Sequence, residues 1–407
     1  MTGLADAPWL QTPAIQRVFD AVEQEGDRAM VVGGAVRNTL LDLPVADVDI
    51  ATTARPEQVA ARARGTGLKV VPTGIDHGTV TVISKGMAYE VTTLRQDVET
   101  FGRQARVVFG TSWTDDARRR DFTLNALYAD RHGAIHDPLG GLEDCLARRV
   151  RFIGDPGERI REDYLRILRF FRIHAAYGRG TPDAAGLSAC IRERDGLRHL
   201  SAERIGLEMK KLVGAPLAAD CLALMEDSGL LEITTGGISR IADFRALRSL
   251  DDVAEETRNP ELGFAVLSGF VDEDLDRIAD RFRLSNAERK RMHGALGVAE
   301  AIEHGKGDLD VPRLLYRHGR QSLVDGLLAV WAQARARGGP GRRERDFSEA
   351  LQLGRSLEIA AFPLKGADLI KAGLPAGPKV GETLKRLEED WLGSRFSLSR
   401  KDLLERI

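Results

Sequence analysis

At 407 residues the chain is too long for a single compact core, and its length points to roughly two to four domains. Lys and Arg number 59 against 61 Asp and Glu, so no global excess of positive charge marks a nucleic-acid partner, and any such sign must come from local clusters. Cys145, Cys190 and Cys221 are widely spaced and exclude a disulfide framework or a CxxC zinc site, while no apolar run reaches the roughly 18 to 20 residues of a membrane span.

The opening "MTGLADAPWLQTP" lacks a basic start followed by an apolar stretch, which leads us to expect a cytoplasmic protein. Helical periodicity over Ala14 to Gln24 and Pro56 to Ala63 interleaves with β-like runs "RAMVVGG", "VDIAT", "GTVTVIS" and "AYEVTTLR". The first third is therefore expected to be a domain built on a small mixed sheet. Beyond about Gly154 the β-like runs nearly vanish. Helices are expected over Arg159 to Ala176; Ala202 to Val213 behind a Ser201 cap; Leu217 to Ser228; Glu273 to Phe282 behind an Asp272 cap; Asn286 to Glu303; and Gln321 to Ala336. Glycine-rich "RGGPGR" suggests a boundary near residue 340. The fold class expected is α+β, with a head at 1–145, an all-α neck at 146–215, a helical body at 216–340 and a small helical tail at 341–407.

Asp47 and Asp49 stand on alternate positions of a strand and so project from one face. Like charges held that close cost stability unless a cation neutralises them, and magnesium favours a few carboxylates together with substrate phosphates. A solvated pair beside a turn is the alternative. The apolar strand Met30-Val31-Val32 runs into Gly33-Gly34, where missing Cβ atoms let backbone N–H groups approach a phosphate, and Arg37 follows one turn later. The pattern suggests glycines cradling a triphosphate and aspartates holding the metal that bridges it. A third acid on a neighbouring strand would suit nucleotidyl transfer. Glu90 is the candidate, with a solvent-facing strand glutamate as the alternative.

At these residues the chain resembles the class II CCA-adding enzymes, tRNA nucleotidyltransferases of the polymerase-β-like superfamily, and their relatives the bacterial poly(A) polymerases. The resemblance rests on "GGAVRN", "DVDIAT", "HGTVTV", "EVTTLR", "RRRDFTLNALY", "DPLGGLEDCLARRVRFIG" and "RIREDYLRILRFFR", in that order. It implies magnesium at Asp47 and Asp49, nucleotide contacts at Gly34 and Arg37, and ribose or triphosphate contacts at Arg120 and Asp121. It also implies base contacts from a helix bearing Asp163, Arg166, Arg169 and Arg172. Asn38 departs from the aspartate usual after the arginine, which puts a local hydrogen bond in question. A buried ion pair is the structural alternative for Arg120 and Asp121. His136-Asp137 does not read as a phosphohydrolase metal pair, because a turn follows at once and no helix supplies partner histidines.

Segment Arg148 to Arg172 holds eight arginines against Asp155, Glu158, Glu162 and Asp163. On one continuous helix Asp163, Arg166, Arg169 and Arg172 would form an oblique stripe opposite the apolar Ile160, Tyr164, Ile167, Leu168 and Phe171. A carboxylate only accepts hydrogen bonds and a guanidinium only donates. Asp163 beside Arg166 therefore matches the amino group and ring nitrogen of cytosine and adenine, and opposes uracil and guanine. A surface helix laced by pairs such as Glu162 with Arg166 is the bland alternative. The expected activity is templateless addition of C, C and A from CTP and ATP to a tRNA 3′ end, with magnesium, by a monomer or homodimer. A poly(A) polymerase and an enzyme confined to CC or A addition are the near rivals, and a catalytically silent RNA-binding protein the distant one. "RQDVETFGRQARVVFG", within 95–115, resembles the flexible loop of full CCA-adders and opposes the CC-only option.

Overall fold

A computed structural model describes residues 4–75, 78–101, 104–305, 307–338, 344–359 and 361–407, with the backbone alone at 73, 96–101 and 104–107. Two units are present, Met1–Thr234 and Thr235–Ile407.

In the first unit, β1 (Ala29–Val32), β2 (Asp49–Thr52), β3 (Lys69–Gly74), β4 (Thr79–Ser84) and β5 (Met87–Thr93) follow the four β-like runs and add one strand that periodicity missed. With α1 (Pro13–Val22), α2 (Gly34–Leu40) and α3 (Pro56–Gly65) they open a head domain. β6 (Arg95–Phe101) and β7 (Gln104–Phe109) form a separate antiparallel ribbon where the loop resemblance fell. α4 (Trp113–Arg118), the short strands β8 (Tyr128–Ala129) and β9 (Ile135–His136), and α5 (Gly141–Leu146) complete the head. The seven-stranded sheet runs β3-β4-β5-β2-β1-β8-β9 and is antiparallel except where β2 meets β5.

Alternation gives this sheet two different faces. Val31, Ile50, Val80, Val82 and Val91 are buried on the face covered by α1 and α3. The opposite face carries Met30, Val32, Ala51 and Tyr128, packed with Ala117 of α4. Register partners continue this second face as one row, Glu90–Asp49–Val32–Tyr128–His136.

The continuous helix expected over Arg159 to Ala176 is corrected: it is two helices, α6 (Pro156–Glu162) and α7 (Leu165–Tyr177). Asp163 between them is extended, at φ −156° and ψ 104°. Its Oδ1 accepts the backbone N–H of Leu165 at 3.2 Å, the local competition by which aspartate interrupts helices. The ring of Tyr164 packs against the α-carbon of Gly196, where any Cβ would collide with it. A stacked Phe152–Phe170 pair and the neighbouring Phe122 tie α7 to the head. α8 (Ala184–Arg192), α9 (Ala202–Val213), α10 (Ala218–Asp227) and α11 (Leu230–Thr235) follow. Ser201 sits at the N-cap of α9, but its side chain makes no cap hydrogen bond.

The second unit is helical throughout its described residues: α12 (Ile241–Arg248), α13 (Pro260–Ser268), α14 (Asp272–Arg281), α15 (Asn286–His304), α16 (Val311–Ala336, broken at Gly319), α17 (Glu344–Ser356), α18 (Gly366–Lys371), α19 (Pro378–Gly393) and α20 (Arg400–Leu404). Val271, not Asp272, occupies the cap of α14, so that helix starts one residue earlier than expected. Asp325, wholly buried, is held by Arg291 and Gln321, and a smaller core gathers Leu364, Leu369, Leu387 and Trp391. Residues 339–342 of the stretch suggested as a boundary lie outside the described residues. No helix among the described residues is long and apolar enough to cross a membrane.

Candidate active site

Strand β1 delivers the chain to Gly33 at φ 72°, a left-handed backbone conformation that favours glycine, and α2 starts at Gly34. The Gly33 N–H donates to Leu127 O at 3.0 Å, which anchors the turn beside the polypeptide running into β8. The first N–H groups of α2 have no acceptor within the helix, and Gly33 and Gly34 border a cavity.

β2 begins at Asp49, so Asp47 lies just before the strand rather than within it as expected. Glu90 is the parallel register partner of Asp49, and all three carboxylates are exposed. Partial desolvation first, then the negative charge of Glu90 and of Asp47, push the Asp49 carboxyl above its ordinary range, while Arg120 pulls the other way. Among the described residues no three acidic, His or Cys side chains already stand as a metal cage.

Arginines surround the other side. Arg37, 6 % exposed, donates through Nε and Nη2 to Asn38 Oδ1 at 3.1 and 2.8 Å and through Nη1 to Asn125 Oδ1. Its guanidinium carbon lies 3.6 Å from the Tyr177 ring centre. The hydrogen bond questioned at Asn38 is therefore present, made by an amide oxygen. Arg120 does not pair with its neighbour Asp121. It donates to Asp116 Oδ2 at 3.0 Å and to the Tyr128 hydroxyl at 3.3 Å, while Arg119 takes the other oxygen of Asp116. Burial alone would raise Asp116, but Arg120 and Arg119 outweigh it and hold the carboxyl low.

Asp121 turns instead toward α7, accepting Arg166 Nε at 3.0 Å and Arg169 Nε at 2.5 Å. Burial opposes its charge, yet Arg169 and Arg166 together keep it below the usual carboxylate range. Arg166 also reaches Glu162 and the carbonyl of Arg159, and Arg172 pairs with Glu208 of α9. Asp163 Oδ2 accepts Arg204 of α9 at 2.6 Å.

These groups border a cavity of about 370 Å³. Of the residues singled out in the sequence it collects Gly33, Gly34, Arg37, Asp49, Arg120, Asp121, Arg169 and Arg172. Asp47, Glu90, Asp163 and Arg166 are not on its wall. For Asp163 the reason is the break before α7, which turns the carboxylate to α9 instead of leaving it on the arginine stripe. Asn125, Arg119 and Ile173 line the cavity without having been singled out. The Asp116–Arg120 spacing of four in "DDARRRD" was the available sign of the ion pair that shapes this wall. His136 lies against Trp113 and Tyr128, and Asp137 caps α5 by accepting from Gly141 and Leu142.

Two family models match the chain: one described as the Poly A polymerase head domain over residues 29–151, and one described as a probable RNA and SrmB-binding site of polymerase A over 183–235. A CCA-adding enzyme of Anoxybacillus flavithermus is 40 % identical, the match covering 95 % of this chain and 94 % of that one. The mitochondrial CCA tRNA nucleotidyltransferase 1 of Mus musculus is 31 % identical over 98 % of this chain and 92 % of its own. Among solved structures, the Bacillus stearothermophilus CCA-adding enzyme in complex with CTP matches with a TM-score of 0.78 and 30 % identity, covering 97 % of this chain and 98 % of that one. Sequence order, mixed-sheet head, helical extension and full-length similarity agree, and the chain belongs to the class II CCA-adding enzymes, the tRNA nucleotidyltransferases.

Proposed function

We propose that this chain completes tRNA 3′ ends in the cytoplasm by adding C, C and A from CTP and ATP, releasing pyrophosphate. The observation that carries the proposal is the single cavity in which the glycine turn, Asp49 and several arginines converge. The RNA 3′-hydroxyl would attack the α-phosphate in line. Gly33 and Gly34 let the triphosphate approach the backbone, and Arg37 and Arg120 supply positive charge to it.

Asp47 and Asp49 are all-oxygen, hard donors, and their mutual repulsion with Glu90 is relieved by a cation, so the residues fit magnesium. Bound there, magnesium would acidify the attacking hydroxyl and stabilise the departing pyrophosphate. Glu90, brought beside Asp49 by the parallel β2–β5 pairing, is the third acid of this reading. The same reading divides the chain into a head at 1–145, a neck at 146–215, a body at 216–340 and a tail at 341–407 that contacts the tRNA.

Selection of C and A is assigned in this reading to Asp163 and Arg166, with Arg169 and Arg172, which line the cavity, supporting them. Asp163 and Arg166 must leave Arg204 and Glu162 to reach a base, because neither lies on the cavity wall. Asp163→Ala is expected to weaken discrimination against UTP and GTP by about five- to a hundred-fold, the value of one selective hydrogen bond, and to weaken triphosphate binding much less. Single-turnover incorporation of each nucleotide checks this. An unchanged CTP-to-UTP ratio with uniformly slower incorporation would make Asp163 a support for α9 through Arg204 and nothing more.

Poly(A) addition is the second reading, favoured by the description of the matching head domain. The β6–β7 ribbon at the place of the CCA-adders' loop favours full CCA addition. tRNA lacking its terminus, supplied with CTP and ATP, should gain two C and one A and then stop. Sequenced products with long adenylate tails from ATP alone would decide for the rival.

A further inference from the structure

A second cavity of about 370 Å³ lies in the first unit, where the end of α7 and the turn that follows it meet α10. None of its lining residues borders the cavity of Gly33 and Asp49. His174 and Cys221 in it are buried, while Pro182, Leu217 and Leu224 are only half-buried and keep apolar surface open to it. The Leu217 N–H donates to Ala175 O at 2.9 Å and fixes the start of α10 to α7. Ligand pockets run from roughly 300 to 1,000 Å³ and are mostly apolar with a few polar groups, and this cavity fits that description.

The polar groups around it are acceptors. Asp220 brings a carboxylate, Thr181 a hydroxyl and Gly180 a backbone carbonyl. His174 Nε2 donates to Gly180 O at 3.2 Å, and burial lowers the imidazole pKa, so the neutral ring spends its one N–H within the wall. Among the described residues no Arg or Lys lines the cavity. A phosphate entering it would meet the charge of Asp220. A flat ring bearing an amino group would instead pair with these acceptors and cover Pro182, Leu217 and Leu224.

Cations gather just outside. Arg179 precedes Gly180 and is exposed, and its N–H donates to Arg148 O at 3.1 Å, which sets it beside the run Arg148, Arg149 and Arg151. Asp144 answers Arg149 and Arg151, whereas Arg148 and Arg179 make no salt bridge among the described residues. α10 falls within 183–235, the span matched by the RNA-binding model. Unneutralised arginines beside an apolar seat suit a single-stranded nucleotide, whose phosphates and base need those two surroundings.

We propose that the cavity between the end of α7 and α10 holds one unpaired, amino-bearing base of the RNA substrate, with its flanking phosphates on Arg179 and Arg148. Uracil, which has no amino group, is disfavoured there. The proposal rests on the reading that the chain extends RNA, and it adds a contact separate from the 3′ end being extended.

Footprinting of a tRNA lacking its 3′ terminus on the full chain, with dimethyl sulfate for adenine and cytosine and kethoxal for guanine, tests this. Wild type is expected to protect one unpaired base away from the nucleotide being extended, and Leu224→Trp, which fills the cavity, to leave that base reactive. Asp220→Ala, at an exposed position, should expose the same base. Affinity for the tRNA should fall about fivefold or more in both variants, the worth of one seated base, and the loss should appear in the KM for tRNA and not in the CTP-to-UTP ratio. Arg179→Ala should weaken binding and lower its salt dependence by about one counter-ion. Identical footprints for wild type, Leu224→Trp and Asp220→Ala, or an unchanged salt dependence in Arg179→Ala, would overturn the proposal. Binding of adenosine or cytidine monophosphate that Leu224→Trp abolishes, with the RNA footprint unchanged, would give the cavity to free nucleotides and overturn it as well. Failure of wild type to bind the tRNA at all would overturn the RNA reading itself.

Discussion

Asp49→Ala is expected to reduce nucleotide incorporation by at least about 10³, because metal-supported stabilisation of the transferring phosphate is a large part of such catalysis. Its fold should survive. The Asp49 side chain reaches solvent, makes no ion pair among the described residues, and is held with its carboxyl above the ordinary range by desolvation and by Glu90. A carboxyl whose pKa is raised on folding destabilises the native state at neutral pH. Thermal unfolding of Asp49→Asn should therefore occur at or slightly above the wild-type temperature, while tRNA binding in a gel-shift assay stays near wild type. Incorporation at a near-normal rate by Asp49→Ala would remove the metal site from this position. Normal binding with lost chemistry would separate this chain from a silent RNA-binding protein.

Asp121 should behave in the opposite way, with stability as the main loss. It is a mostly buried carboxylate that receives Arg166 and Arg169 from α7 and so joins the head to the arginine helix. Removing one partner from a buried network leaves the others uncompensated, and Asp121→Ala is expected to cost about 3 to 5 kcal/mol. Asp121→Asn keeps the size and removes the charge, so it should share most of that loss at neutral pH. The folded carboxyl lies below its unfolded value because the two arginines outweigh burial. Its stabilisation is therefore fully present above the unfolded carboxylate pKa of about 4 and disappears as pH falls through the lower folded value. Urea unfolding of wild type and Asp121→Asn should differ widely at pH 7 and converge in strong acid. Equal midpoints at pH 7 would mean that the α7–head contact depends on the phenylalanine stack of Phe152 and Phe170 rather than on charge.

Charge partnership was the least legible feature in the sequence. Arg120 and Asp121 are adjacent and invite pairing, but adjacent residues on a turn point apart, and each found a partner elsewhere: Asp116 one helical turn back, and arginines 45 and 48 residues onward. The Glu162–Arg166 pair, which the spacing of four offers as the alternative to base recognition, is made, although α6 ends at Glu162. Asp163 shows the limit of periodicity. Apolar residues on both sides of it keep a helical phase, with Ile160, Ile167, Leu168 and Phe171 fully buried, so the pattern reads as one helix across a residue that leaves it. A single aspartate is a weak helix breaker by propensity, and packing of Tyr164 on Gly196 together with the bond to Arg204 decides the matter.

By itself the sequence determined the elements whose causes are local. A continuous apolar run makes β1, short apolar runs with alternation make β2, β4 and β5, the paired glycines permit the turn at Gly33, and amphipathic spacing makes the long helices of the second unit, because each depends on residues within a few positions of one another. It also carried the family resemblance, since motif order survives in the chain whatever the packing. The tertiary structure alone decided which distant groups meet. Parallel pairing of β2 with β5 set Glu90 beside Asp49, Tyr177 at the end of α7 came to cover Arg37, and carboxylates of equal chemistry were divided among competing arginines. Charge attraction is long-ranged and poorly directional in a sequence, and only the shape of a desolvated site selects one partner from several.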